Sequence, residues 1–195
     1  RAMRTIKSGG AMKKIVLITT LISICFSQSL FISEYIEGSS YNKAIEIYNP
    51  TSTAVNLTGY ELWKISNGGD WDEGAGNNLV LADYVNELSA NSVLVICSNQ
   101  AWDEVLAICD ISAGGQATNF NGDDAVGLAY NGSIIDAIGE EGSGSDYPEG
   151  IGWEVNGVAG GTKDHTLVRN LSVTEGNTNW ESSSGNEWTV FDQNT

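Results

Sequence analysis

From Leu30 onward the chain is a succession of short runs in which apolar and polar residues alternate. Residues 30–37 (LFISEYIE) are apolar with alternation toward their end, and 44–48 (AIEIY) and 60–65 (YELWKI) alternate throughout. Further short runs occupy 79–81, 92–97, 125–130, 133–138 and 166–168. A period of two is what a strand shows when one face lies on a core. The runs are separated by turn chemistry: Asn49-Pro50, 67–69 (NGG), 121–123 (NGD), Asn131-Gly132 and 142–145 (GSGS). The clearest hairpin is 129–134, where Asn131-Gly132 supplies the positive φ angles of a tight turn. Helical character is confined to 101–108 (AWDEVLAI), about two turns. No internal repeat and no interdomain linker is evident. The pattern predicts one all-β sandwich of roughly seven to nine strands. The glycine-rich stretches 66–78 and 139–161 read as its long loops.

The N-terminal pattern is different. Met12-Lys13-Lys14 is a basic start, 15–26 (IVLITTLISICF) is apolar, and Ser27-Gln28-Ser29 offers small residues for cleavage. This three-part order is that of a secretory signal peptide. The apolar run of 12 residues is shorter than the ~20 a membrane span needs. Cys25 follows Ile24, where a lipoprotein signal would place a small residue, so lipidation is not expected. Residues 1–11 read as an upstream, non-native extension. The expected organisation is therefore 1–11 extension, 12–29 signal peptide and 30–195 domain. Export to the medium or the cell surface follows, with no membrane span after signal removal.

Charge narrows the function. The chain has 25 acidic and 9 basic residues, and five of the bases precede residue 30. From Leu30 on, 4 bases face 25 acids, a formal charge of 4 − 25 = −21. Such a surface repels phosphate backbones, so no nucleic-acid partner is expected. Beyond the signal, Cys97 and Cys109 form an even pair in an exported chain, where disulfides persist. A bridge is expected, and two buried free thiols are the alternative.

Catalytic chemistry is sparse. The one histidine, His165, rules out a multi-histidine metal site. No serine stands in a nucleophile-elbow pattern, and no phosphate-binding loop or dinucleotide fingerprint follows a strand. Glu140 and Glu141 imitate a hydrolase pair only as neighbours in an acidic loop, and Asp70, Asp72 and Glu73 make another such loop. Asp123 and Asp124 are calcium candidates, since carboxylates and loop carbonyls suit a hard cation. Turn-making by their side chains is the stronger reading. No cofactor is expected. Of the six tryptophans, Trp63 and Trp188 lie in strand-like contexts and are expected in the core. Trp71 and Trp153, in glycine-rich loops, are candidates for exposed aromatics that stack on sugars.

Several ordered stretches point to a family. They are 31–49 (FISEYIEGSSYNKAIEIYN), 57–62 (LTGYEL), 119–128 (NFNGDDAVGL), 166–169 (TLVR) and Glu187-Trp188. In this order they resemble the lamin tail domain as it occurs in secreted bacterial proteins. The resemblance runs from about residue 30 to the end. It implies an immunoglobulin-like β-sandwich and a non-catalytic module, often attached to secreted hydrolases or cell-surface proteins. The motif residues Glu34, Glu37, Glu46, Asn49, Gly59, Asn121, Gly122, Asp123, Asp124, Arg169 and Trp188 are then structural. The residues agree with that reading. Glu46 faces outward if Ile45 and Ile47 face the core. Asn49-Pro50 ends a strand, and Gly59 permits a turn. Arg169, one of four bases in a field of acids, is expected to pair with a carboxylate at a strand end.

The expected function is thus a secreted interaction or accessory module binding a protein or an extracellular polymer. One alternative is the targeting or substrate-binding domain of a secreted nuclease or phosphatase whose catalytic part lies beyond Thr195. Another is a carbohydrate-binding sandwich. Relatives continue past the terminal Glu-Trp through a further ending, so the resemblance implies a domain truncated at its C-terminus.

Overall fold

The computed structural model of the protein describes residues 30–71, 78–142 and 148–195. The extension 1–11, the signal segment 12–29 and the acidic loop residues Asp72 and Glu73 lie outside the described residues. Among the described residues, two sheets and a small ribbon account for twelve strands. The larger sheet orders β12 (Trp188–Asp192), β11 (His165–Arg169), β1 (Phe31–Glu37), β2 (Lys43–Tyr48), β7 (Val93–Ser98) and β8 (Ile111–Ala113). The smaller orders β10 (Ser133–Ile138), β9 (Ala125–Tyr130), β4 (Tyr60–Ile65) and β5 (Leu79–Val80). The ribbon pairs β3 (Val55–Asn56) with β6 (Glu87–Leu88). All pairings are antiparallel except β7 with β8.

The count exceeds the expected seven to nine because β3, β5 and β6 are two-residue pieces, too short to show a period. The helix expected over 101–108 contracts to one turn, α1 (Asp103–Leu106), and a second short helix, α2 (Trp180–Asn186), precedes β12. Asn179 caps α2 by accepting from Ser182 N–H. The hairpin turn falls where expected: Tyr130 pairs with Ser133, and Asn131 and Gly132 hold φ of 49° and 76°.

The inner faces of the two sheets form one core. Ile32, Tyr35, Ile45, Ile47, Leu94, Ile96, Leu167 and Trp188 come from the larger sheet, and Tyr60, Leu62, Val126, Leu128 and Ile138 from the smaller. Cys97 and Cys109 are bridged, with Cα atoms 6.0 Å apart, which ties the α1 loop onto β7.

Three cations are spent inside this frame. Asp136, on β10, is fully buried. Its Oδ2 accepts from Ile32 N–H of β1 at 2.7 Å and from Arg169 Nη1 at 2.6 Å. Its Oδ1 accepts from Ala137 and Asn177 N–H at 3.0 and 2.9 Å. Arg169 also donates to the Ile32 carbonyl and to Glu187, and its guanidinium lies 4.6 Å from the Trp188 ring centre. Lys43 pairs with Glu37, and Lys64 donates to the Asn119 carbonyl and faces Asp124 at 3.5 Å. The 119–128 block is built around these contacts. Asp124 accepts from Asn67 and Asn121 N–H, both at 2.9 Å. Thr162 donates its hydroxyl to the Gly122 carbonyl at 2.6 Å. A Cβ on Gly122 would stand 2.2 Å from Lys163 Cα, so only glycine admits that backbone approach.

Gly122→Ala is therefore expected to lower unfolding free energy by about 1–3 kcal/mol, the range of overpacked sites. Urea denaturation reads this directly, and a loss below about 0.5 kcal/mol would show that the loops can part at no cost.

Candidate binding surfaces

The outer face of the larger sheet is the first candidate. Strand register and alternation place Phe31, Glu34 and Ile36 of β1 on it, with Ala44, Glu46 and Tyr48 of β2, Val93, Val95 and Cys97 of β7, and Thr166 and Val168 of β11. A bulge at Ser33 shifts β1 by one residue, so Glu34 and Glu46 stand opposite each other. Ser33 donates its hydroxyl to Glu46 Oε1 at 2.7 Å. Burial, and then the Glu46 charge, pushes the Glu34 carboxyl above its ordinary value. Phe31 and Tyr48 meet edge to face at 5.7 Å. A cleft of about 290 Å³ opens between this pair and the segment carrying Leu171 and Val173. Leu171 is fully exposed, and Val93 and Phe191 are each 41% exposed. An antiparallel sheet ordinarily turns a polar face to water; here Ile36, Tyr48, Val93, Val95 and Val168 reach water beside Glu34 and Glu46, while Phe31, Ala44, Cys97 and Thr166 are buried.

The second candidate lies on the outer face of the smaller sheet. Trp63, Asp70, Trp71, Ile134 and Glu141 line a cleft of about 420 Å³. Trp71 sits on Gly127, whose added Cβ would stand 3.0 Å from the indole. Trp63 donates its Nε1–H to Glu61 Oε2 at 2.7 Å, which fixes the ring. Glu141 accepts from Trp71 N–H at 3.2 Å.

The tryptophans correct two expectations. Trp153 is 8% exposed and packs in the core. Its loop folds back over Gly139, whose missing Cβ leaves room for the ring. Trp63 is buried but lies outside the core cluster, because Leu62 and not Trp63 takes the inward position of β4. Trp71 is half-buried. Trp188 is in the core, its Nε1–H donated to Ser183 Oγ at 2.9 Å. Trp102, 49% exposed, was not singled out by the sequence.

The remaining motif residues lie within the frame. Asn49 is fully buried and donates to the Thr53, Leu88 and Ser89 carbonyls while accepting from Thr51 N–H. Gly59 turns with φ 85°. Glu37 accepts from Lys43 and from Asp164 N–H. Asp123 accepts from Gly150 N–H at 2.7 Å. With Lys64 and two backbone N–H groups on Asp124, both carboxylates of the calcium candidate have donors from the protein. His165 Nδ1 lies 2.6 Å from the Lys163 carbonyl, at the start of β11. Among the described residues no group of three or more His, Cys, Asp and Glu is placed to hold a metal ion, and no helix is long and apolar enough to cross a membrane.

Two sheets packed face to face in this way make an immunoglobulin-like β-sandwich. The family model of the Lamin Tail Domain matches residues 27–142, more than half of the chain, and the protein belongs to that family. No curated protein and no solved structure matches it.

The buried carboxyls set a pH dependence. Burial pushes Asp136 and Glu37 above their ordinary values of 3.8 and 4.5, against the pull of Arg169 and Lys43. Glu34 moves the same way. The folded chain thus takes up protons before the unfolded chain does, so stability rises as pH falls through the folded-state values. Glu187 works in the opposite sense. Burial tends to raise it, but hydrogen bonds from Arg169, Asn177 and Ser183 and the Arg169 charge hold it below 4.5. Its contribution is present above that value and is lost below it. The melting temperature is expected to rise as the pH is lowered from neutral toward the folded-state values of the three raised carboxyls, and to fall again in acid strong enough to protonate Glu187. A steady decline from neutral pH downward would contradict this.

Proposed function

We propose that the chain is a non-catalytic binding module of an exported protein, secreted or held at the cell surface, whose partner docks on an outer sheet face. The observation that carries this reading is the apolar surface on the outer face of the larger sheet, where half-buried Tyr48 and Val168 lie near exposed Val93 and Leu171. Contiguous apolar surface on a soluble sandwich marks an interaction site. Membership of the family supports the module, and the signal pattern at 12–29 supports export. The ion pairs argue against a nucleic-acid partner: Lys43, Lys64 and Arg169 are spent on internal carboxylates, and Lys163 donates to the Gly150 carbonyl. Phosphate contacts need free cations.

A second reading is favoured by one observation, the cleft of Trp63 and Trp71 with Asp70 and Glu141 beside it. Indole faces with nearby carboxylate acceptors suit a sugar ring and its hydroxyls. In that reading Trp71→Ala abolishes retention on an insoluble polysaccharide.

The purified chain is expected to turn over neither DNA nor a phosphate monoester, and to give no DNA gel shift below about micromolar at physiological salt. Turnover abolished by one point substitution would overturn the non-catalytic reading.

A further inference from the structure

We propose that the outer face of strands β11, β1, β2 and β7 docks an extended partner segment in which Lys or Arg alternates with apolar residues, the cation lying on Glu34 and Glu46. This deepens the binding-module reading and rests on it. Three features of the face argue for that occupant.

The first is charge. On the outward positions of these four strands Glu34 and Glu46 are the charged residues, and they stand opposite each other across the β1–β2 ladder. Like charges directly opposed on a sheet destabilise it. No base among the described residues relieves them. Among the described residues Lys43, Lys64 and Arg169 are buried in ion pairs with Glu37, Asp124, Asp136 and Glu187. Lys163 is turned to the Gly150 carbonyl. None of the four bases among the described residues serves this pair, and a partner can supply one.

The second is the pattern around the pair. Apolar positions flank it along the strands: Ile36 and Tyr48 on β1 and β2, Val95 and Val168 across the sheet. A segment that alternates a long cationic side chain with a β-branched one would set the charge on Glu34 and Glu46 and the branched groups on these neighbours. The stems of Lys and Arg are themselves apolar and suit such a surface.

The third is shape. The cleft of about 290 Å³ reaches from Ser33 and Glu46 past Phe31 and Tyr48 to Leu171 and Val173. Ser33 and Glu46 line one part of it and Leu171 and Val173 another, so it suits a segment that carries a cation beside a bulky apolar residue. A second copy of this chain fits poorly, because it would bring two further carboxylates onto the same spot and carries a net charge of −16.

The test is a titration of the purified chain with a short acetylated peptide alternating Lys and Val, followed by calorimetry at low and at physiological salt. Two control peptides alternate Lys with Ser and Glu with Val. The double variant Glu34→Gln/Glu46→Gln is compared with Glu104→Gln/Glu181→Gln, which removes the same charge from two exposed positions elsewhere. The first pair is expected to weaken binding of the Lys–Val peptide by about tenfold or more and the second to leave it near wild type. Val168→Asp is expected to abolish it, and both control peptides are expected to bind weakly or not at all. Equal losses from the two double variants would reduce the effect to general attraction and overturn the proposal. So would equal binding of the Lys–Ser peptide, no binding at all, or a dimer of the chain that Val168→Asp dissolves. Binding lost in Val168→Asp but indifferent to Glu34 and Glu46 would remove the cation and leave the binding module standing.

Discussion

Asp136 has no contact with water, and the two sheets meet on it. A lone buried carboxylate is among the most costly groups a protein can hold, so everything near it is arranged to supply donors. Ile32 N–H reaches it from β1 and Arg169 from β11, both in the facing sheet. Ala137 and Asn177 N–H fill its other oxygen. Arg169 in turn is fixed by Glu187 and by the Phe31 and Trp188 rings. Strand β12, helix α2 and the 170–177 loop are thereby tied to the edge of the smaller sheet.

The same constraint shapes the exterior. Lys43 and Lys64 are likewise drawn to carboxylates at the ends of the sandwich. Three of the four bases beyond residue 30 are thus used for cohesion, and the outer surface is left acidic. Internal pairing and an acid-rich surface are two sides of one distribution of charge. It links the fold to the surface that the proposed partner would meet, rich in carboxylates and short of free cations.

Much of this was legible in the chain. The alternating runs gave the principal strands, Asn131-Gly132 gave the hairpin, and the scarcity of bases already implied that Arg169 pairs with acid. Asp136 was not legible. In 133–138 (SIIDAI) it reads as one polar residue in an apolar strand, free to point outward. A bulge at Ile135 shifts the register and turns it to the core, and no local signal announces such a shift. Trp153 departs from expectation for a related reason: its glycine-rich surroundings suggest an open loop, whereas Gly139 makes a socket for the ring. The outer face was hidden too, since alternation shows that a strand has two faces but not that both are apolar once neighbours are in register.

The most direct test is a double-mutant cycle at the clasp, with Arg169→Met, Asp136→Leu and the pair measured by urea unfolding. Each single change leaves a buried charge without its partner and is expected to cost about 3–5 kcal/mol. The double variant is expected to be more stable than the sum of the singles allows, because it removes both charges together. Single losses below about 1 kcal/mol that simply add would contradict the claim that the sheets are joined through this pair.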